Sequence, residues 1–184
     1  SGKWIIFLNS GDIFYDKNVL AKVSKKKIDN FDILYGDTNI KNGIFNYTIS
    51  AKKFTDKTIV MPFCHQSCFV KRKLLLKKGF SLKYKISSDF DFFKYTYSRK
   101  YSFFNLNLLV SRIIAGGLSD TNRDQVYYEN LNIIKKHDIS FVAILKLYLL
   151  RLSNFLKNII KTFLPNSIIL LIMNIKYNKR ITHK

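Results

Sequence analysis

Asp12 closes the run Lys3-Trp-Ile-Ile-Phe-Leu-Asn-Ser-Gly-Asp12, an apolar stretch that passes directly into a polar turn. A carboxylate on a loop at the C-terminal edge of an open α/β sheet stands where such folds bind ligands. Its hard oxygens suit Mg²⁺ or Mn²⁺, ions that bridge diphosphate oxygens. A loop aspartate is equally at home as a solvated turn residue, so Asp12 alone decides nothing. Asp89 and Asp91 stand two apart in Ser88-Asp-Phe-Asp-Phe-Phe93. At a helix start both complement the positive end of the dipole; in a cleft, one could work as a general base. A third set is polar: His65-Gln66, Asp37 behind Gly36, and Arg112 to Ser119 with Gly116-Gly117 inside it. The glycine pair permits a tight turn, and an arginine nearby suits phosphate. None of these signals is specific by itself.

Cys64 and Cys68 lie in Cys-His-Gln-Ser-Cys, with no second Cys/His pair to complete a zinc site. Near neighbours on an extended chain diverge, so a disulfide between them would be strained. Both read as reduced thiols of a cytosolic protein.

The elements that must position these residues follow from periodicity. Lys3 to Leu8 reads as a buried strand of a parallel sheet. Asp16 is placed to cap a helix reaching about Lys27, with Val19, Leu20 and Val23 inside. Phe31 to Tyr35 is a strand ending in Gly36-Asp37, and Asn42-Gly43 marks a hairpin between Thr38–Lys41 and Ile44–Ile49. Ser67 to Val70 reads as a short strand and Arg72 to Lys78 as a helix stopped by Gly79. Ser87 begins a helix burying Phe90, Phe93 and Tyr97; strands fill Ser102 to Ile114, and a helix runs from Thr121 to about Lys136.

From Phe141 the pattern changes to amphipathic helices broken at Pro165-Asn166. The fold class is therefore α/β, a mixed sheet flanked by helices over residues 1–138, followed by a basic helical tail over 139–184. The apolar run Ile168–Met173 is far short of the ~20 residues a membrane-spanning helix needs. Lys146, Arg151, Lys157 and Lys161 recur among Leu and Ile. That suits a helix lying on an anionic membrane surface, or one packed on the domain or on a second copy.

The chain sets 32 Lys and Arg against 12 Asp and Glu, a formal net charge of +20. Such a field attracts nucleic acid, anionic lipid or a diphosphate-bearing substrate. No RNP-like, zinc-finger or helix-turn-helix pattern accompanies it, so nucleic acid is not the expected partner. At 47% hydrophobic residues the chain can bury a core, which excludes wholesale disorder. No secretory signal opens it. It begins on a strand that needs neighbours on both sides, which reads as a start inside a domain.

Five segments occur in a fixed order: Lys3–Asp12, Asp32–Thr38, Met61–Arg72, Ser88–Phe93 and Arg112–Ser119. As an ordered set over roughly residues 2 to 120, they closely resemble the second half of bacterial family-two glycosyltransferases. These are GT-A (Rossmann-like) enzymes that build polysaccharide or lipopolysaccharide chains. The resemblance implies an N-terminally truncated GT-A domain. It implies transfer, with inversion, of a sugar from a nucleotide-sugar donor, UDP-sugar foremost, to the hydroxyl of a saccharide or lipid-linked saccharide.

Residue by residue, Asp12 falls at the metal-binding carboxylate, for Mg²⁺ or Mn²⁺, while Asn9 and Gly11 replace the other positions of that motif. Asp89 falls at the catalytic base, and Ser88 replaces the acidic residue often found before it. Asp91 occupies the place of a common second aspartate, a structural or positioning residue, and stands also among the donor-binding candidates. His65, Gln66 and Arg112 map to cleft-lining positions, and Asp37, Gly117 and Ser119 join them as donor-binding candidates. The family's nucleotide-base segment, of Pro-x-Tyr-Asn type, has no counterpart, so the isolated chain is expected to be inactive. The implied location is cytoplasmic and peripheral at the inner face of the membrane. A non-catalytic basic protein that binds membrane or nucleic acid, and an inactive remnant of a transferase, are the competing readings.

Overall fold

Strand β3 (Ile33–Asn42) is the spine of the molecule, and its neighbours explain its sequence. The computed structural model describes residues 2–137 and 140–165, with 167–169, 171, 172 and 175 beyond them. β6 (Phe103–Ile114) runs parallel along one side of β3. On the other side, β5 (Cys68–Lys71) pairs antiparallel with its first half and β4 (Phe45–Ile49) with its second half. The edges are the two-residue strands β1 (Trp4–Ile5), against β5, and β2 (Ile13–Phe14), against β6. The order is β1-β5-β3-β6-β2, a mixed sheet as the sequence indicates.

Side chains alternate across the sheet and divide its apolar residues between two cores. Ile33, Tyr35, Cys68 and Val70 face a large core shared with α3 (Ser88–Ser98), α5 (Arg123–His137) and α6 (Phe141–Phe163). Leu34, Phe69, Leu106 and Val110 face a smaller one closed by Val19 and Val23 of α1 (Val19–Ser24). Because both faces are covered there, the first half of β3 (Ile33–Tyr35) and the start of β5 (Cys68–Val70) read as apolar runs.

The β3–β6 ladder carries an irregularity at the middle of the sheet. The step from Tyr35 to Thr38 on β3 is matched by the longer step from Asn105 to Ser111 on β6. Asn107 takes up the bulge with φ of 45°, a left-handed conformation that asparagine tolerates. Opposite it, a Cβ on Gly36 would run into the Leu108 carbonyl oxygen and stand 2.7 Å from Val110 Cγ2. Glycine is needed here for space, since nothing else lets β6 approach so closely.

Several local expectations need correcting. The opening run gives only the short edge strand β1, antiparallel and half-buried, because it has one neighbour instead of two. α1 is a single short helix whose inner face is Val19 and Val23; Leu20, one step round the helix, is 54% exposed. β3 does not stop at Gly36-Asp37 but continues through the bulge to the hairpin, where Gly43 takes φ of 58°. α2 (Arg72–Lys78) and its Gly79 terminus, φ 63°, are as the sequence suggests. Ala143 and Leu147 of α6 are buried in the same core as Ile133 and Ile134. The domain boundary expected near residue 139 falls outside the described residues, as do Asn166, Met173 and the chain end.

Candidate active site

His65 opens a 3₁₀ turn (His65–Ser67) that leads into β5 beside the middle of β3 and β6, at Thr38 and Ser111. Three buried hydroxyls hold that turn down. Ser67 Oγ donates to the Asp37 carbonyl at 3.0 Å, which uses its only proton. Thr38 Oγ1 at 2.6 Å and Ser111 Oγ at 2.7 Å lie within hydrogen-bond distance of Ser67 Oγ, stitching β3 and β6 to the turn.

α3 is set from two directions. Phe90, Phe92 and Phe93 are nearly inaccessible, and Phe93 meets Phe63 edge-on at 5.3 Å, which stacks in turn on Tyr35 at 4.6 Å. The loop before the helix is gathered by Glu129 of α5, whose carboxylate accepts the consecutive N–H groups of Lys85 (3.0 Å), Ile86 (3.0 Å) and Ser87 (2.8 Å). Burial pushes the Glu129 carboxyl up, but the hydrogen bonds from Gln125 and these amides prevail and hold it below its ordinary value. Asp89, in the first turn of α3, then lies with Oδ2 at 3.2 Å from His65 Nδ1. Its Oδ1 accepts the Phe90 N–H at 2.7 Å. With a proton on Nδ1 the His65 ring donates to Asp89, and each carboxylate oxygen keeps a spare lone pair.

His65 and Asp89 line a cleft of about 410 Å³, together with Gln66 and Ser119. Its far wall is one face of α5, with Arg123, Val126, Tyr127 and Asn130, backed by Leu150 of α6. Cys64 lines it as well. Burial pushes the Cys64 thiol up; a Thr38 hydrogen bond opposes this, and the nearby carboxylates of Asp120, Asp89 and Asp12 raise it further. Cys68 is buried, and its thiol is also raised, foremost by burial. Both cysteines are free, as read from the sequence.

The remaining candidates lie elsewhere. Asp12 precedes β2, whose pairing of Ile13 with Arg112 brings it to the same sheet edge. Its Oδ2 accepts the Asn9 N–H at 3.2 Å, closing its own turn, and it is not among the cleft-lining residues. Arg112 donates to Asn39 Oδ1 at 2.9 Å and lies over the Tyr15 ring at 5.1 Å. The Asp37 carboxylate accepts the Ala51 N–H at 2.8 Å and so pins a loop. Gly117 precedes α4 (Leu118–Thr121) and does not line the cleft. Of the two roles open to Asp91, structural residue and donor contact, it takes the structural one. It is fully buried, with Lys136 at 2.9 Å, His137 at 2.9 Å and Lys78 at 3.4 Å, a position no ligand reaches. Burial pushes its carboxyl up, but the bonds from His137 and Lys136 and the charges of Lys136 and Lys78 hold it well below the ordinary range.

Asp120, Arg123, Tyr127, Asn130 and the positioning carboxylate Glu129 were not singled out from the sequence. The spacing of Arg123, Val126, Tyr127 and Asn130 marks one helix face and was the available signal. Among the described residues, no three His, Cys, Asp or Glu side chains converge as a ready-made metal nest.

No protein-family model matches the chain. It is similar to PGL/p-HBAD biosynthesis glycosyltransferases of Mycobacterium bovis and Mycobacterium tuberculosis. The identity is 27% over 157 residues, covering 79% of this chain and 58% of each relative. The chain thus spans less than two thirds of the length of these curated relatives. The similarity supports a distant relationship to glycosyltransferases.

Proposed function

We propose that this chain forms the acceptor side of an inverting glycosyltransferase of the GT-A type, with Asp89 as general base. The observation that carries the reading is the Asp89 carboxylate at the cleft, 3.2 Å from His65 Nδ1. Asp89 accepts the proton of the acceptor hydroxyl as that oxygen attacks the anomeric carbon. The bond from that carbon to the nucleoside diphosphate breaks, and its electron pair leaves with the diphosphate. His65 holds the carboxylate in position. A base so placed contributes about 10²–10⁴ in rate.

Asp12 offers a single carboxylate, a donor set that fits Mg²⁺ or Mn²⁺ only when substrate phosphates supply further oxygens. When bound, the ion would neutralise the leaving diphosphate. Asp12 would hold it, and the basic surface would favour an anionic donor such as a UDP-sugar. The relatives are named for PGL/p-HBAD biosynthesis, and the acceptor we carry over is a saccharide or lipid-linked saccharide. We extend the reading to polysaccharide or lipopolysaccharide assembly at the cytoplasmic face of an anionic membrane, with no part for nucleic acid.

The test uses the full-length protein and a panel of nucleotide sugars. Asp89→Asn keeps size and shape but removes the proton acceptor, so turnover should fall by about 10² or more while donor binding persists. Near-normal turnover in this variant would rule out Asp89 as the base.

A further inference from the structure

Helix α2 and the loop after it carry an unbalanced charge. The stretch reads Arg72-Lys-Leu-Leu-Leu-Lys-Lys-Gly-Phe-Ser-Leu-Lys-Tyr-Lys85, six cations with no carboxylate among them. Leu74 and Tyr84 turn inward to the large core. Of the six cations, only Lys78 is paired with a carboxylate among the described residues, that of Asp91. The other five are exposed.

The same stretch displays apolar side chains. Gly79 ends α2, and Phe80 is braced edge-on against the buried Phe92 at 5.4 Å. Between that anchor and the buried Tyr84, Leu82 stands fully exposed. The loop is fastened at its far end, where Glu129 accepts the amides of Lys85 and Ile86. Phe7, just beyond β1, meets Phe80 at 5.3 Å, and both are exposed. At the other end of α2 the Arg72 N–H donates to the Lys3 carbonyl at 2.9 Å. There Lys3, Lys71, Arg72 and Lys73 line an open cleft of about 500 Å³ with one carboxylate, Asp29, and with Leu76, which is 74% exposed. Residues 3 to 7 and α2 with its loop therefore share one face, cationic, with leucine and phenylalanine set among the charges.

We propose that this face docks on an anionic phospholipid bilayer. Headgroup phosphates lie at Lys3, Arg72 and Lys73, while Phe80 and Leu82 enter the acyl boundary. A nucleic acid would match the cations and leave Leu76 and Leu82 in water, so the bilayer is the better complement. The loop runs directly into α3, which carries Asp89, so docking brings the cleft to the membrane. That consequence rests on the transferase reading; the docking does not.

Co-sedimentation of the full-length protein compares vesicles of phosphatidylcholine with vesicles of equal parts phosphatidylcholine and phosphatidylglycerol. Leu82→Ser, with its circular dichroism melt unchanged, should weaken binding to the anionic vesicles about tenfold. Lys83→Gln with Lys85→Gln should weaken it by about tenfold or more, at roughly fivefold per cation. Lys25→Gln with Lys27→Gln removes the same charge from exposed positions after α1 and should cost less than about threefold, since a distant charge is screened. An equal loss in that control pair overturns the proposal, because the overall field would then explain the binding. Leu82→Trp, read against the unsubstituted protein, should shift its fluorescence to the blue on anionic vesicles, and an unshifted spectrum overturns the proposal as well. Loop variants that lose a single-stranded oligonucleotide but keep the vesicles would assign the face to nucleic acid instead. Vesicle binding that depends on α6 and ignores the loop variants would leave the membrane location standing and end this docking surface. Loop-dependent binding without nucleotide-sugar turnover would end the transferase reading and keep the surface.

Discussion

Glu129 is the side chain on which the site's geometry depends without touching it. Its carboxylate collects three successive amides immediately before α3, so the register of Asp89 against His65 is set from α5. In Glu129→Gln one end of the group becomes an N–H donor facing N–H donors. Charge-assisted hydrogen bonds are worth about 1.5–3 kcal/mol each, so a loss of about 2–3 kcal/mol in urea unfolding is expected. Turnover should fall as well, and a normal urea midpoint with normal turnover would show that the loop is held by something else. Nothing in the sequence near Glu129 pointed to this role, because its partners are backbone amides more than forty positions away. Asp89 was legible for the opposite reason: its meaning is local, in a helix start between phenylalanines. Asp91, two residues on, looked equivalent in sequence and is not, since one helical step of two residues turns it from the cleft into the interior.

At the scale of elements, Asp91 is a clamp that joins α3 to α2 through Lys78 and to α5 through Lys136 and His137. Asp91 and Glu129 both have carboxyls held below their ordinary value of about 4. The stability they contribute is present above that value. It is lost as pH falls, because the unfolded chain takes up protons that the folded one refuses. Denaturant midpoints should thus be flat just above pH 5 and decline below pH 4, and removing the Asp91 carboxylate as Asn should flatten that decline. The sheet offers a steric test. Gly36→Ala drives a methyl group into the Leu108 carbonyl and Val110, so β3 and β6 must part at the bulge. Overpacking of this kind costs about 1–3 kcal/mol, to be read as a shift in the unfolding midpoint. The hairpin, α2 and the extended stretch that forms β6 were readable because turn residues and apolar alternation mark them locally, though not that this stretch is one strand. The bulge and the order of strands were not, since they depend on which strand lies beside which. The short edge strands were overread for the same reason: an apolar run specifies burial, and only pairing specifies length.

At the scale of the molecule, α6 presents more apolar surface than its packing uses. Ala143 and Leu147 are buried, and Arg151 clasps Asp124 of α5 with two bonds of 3.0 Å. Phe141, Leu145, Leu149, Leu152, Phe155 and Phe163 are all exposed. No acidic residue occurs in the helix, and Lys146, Lys157 and Lys161 flank its apolar side chains. No helix among the described residues is long and apolar enough to cross a membrane. We propose that α6 lies in a membrane interface, its apolar face at the acyl boundary and its cations at the headgroups. A second copy of the chain could cover the same face, but like-charged helices would then be brought together. Each cation near an anionic surface contributes about 1 kcal/mol, so three should favour anionic over neutral vesicles by about 10² at low salt. Vesicle co-sedimentation of the full-length protein should show that preference, and it should weaken as ionic strength shortens the screening length to about 8 Å. Leu152→Glu together with Phe155→Glu leaves the buried side of α6 untouched and should release the protein from anionic vesicles. Binding that ignores lipid charge, or that survives both glutamates, would mean that the exposed face of α6 is not what meets the membrane.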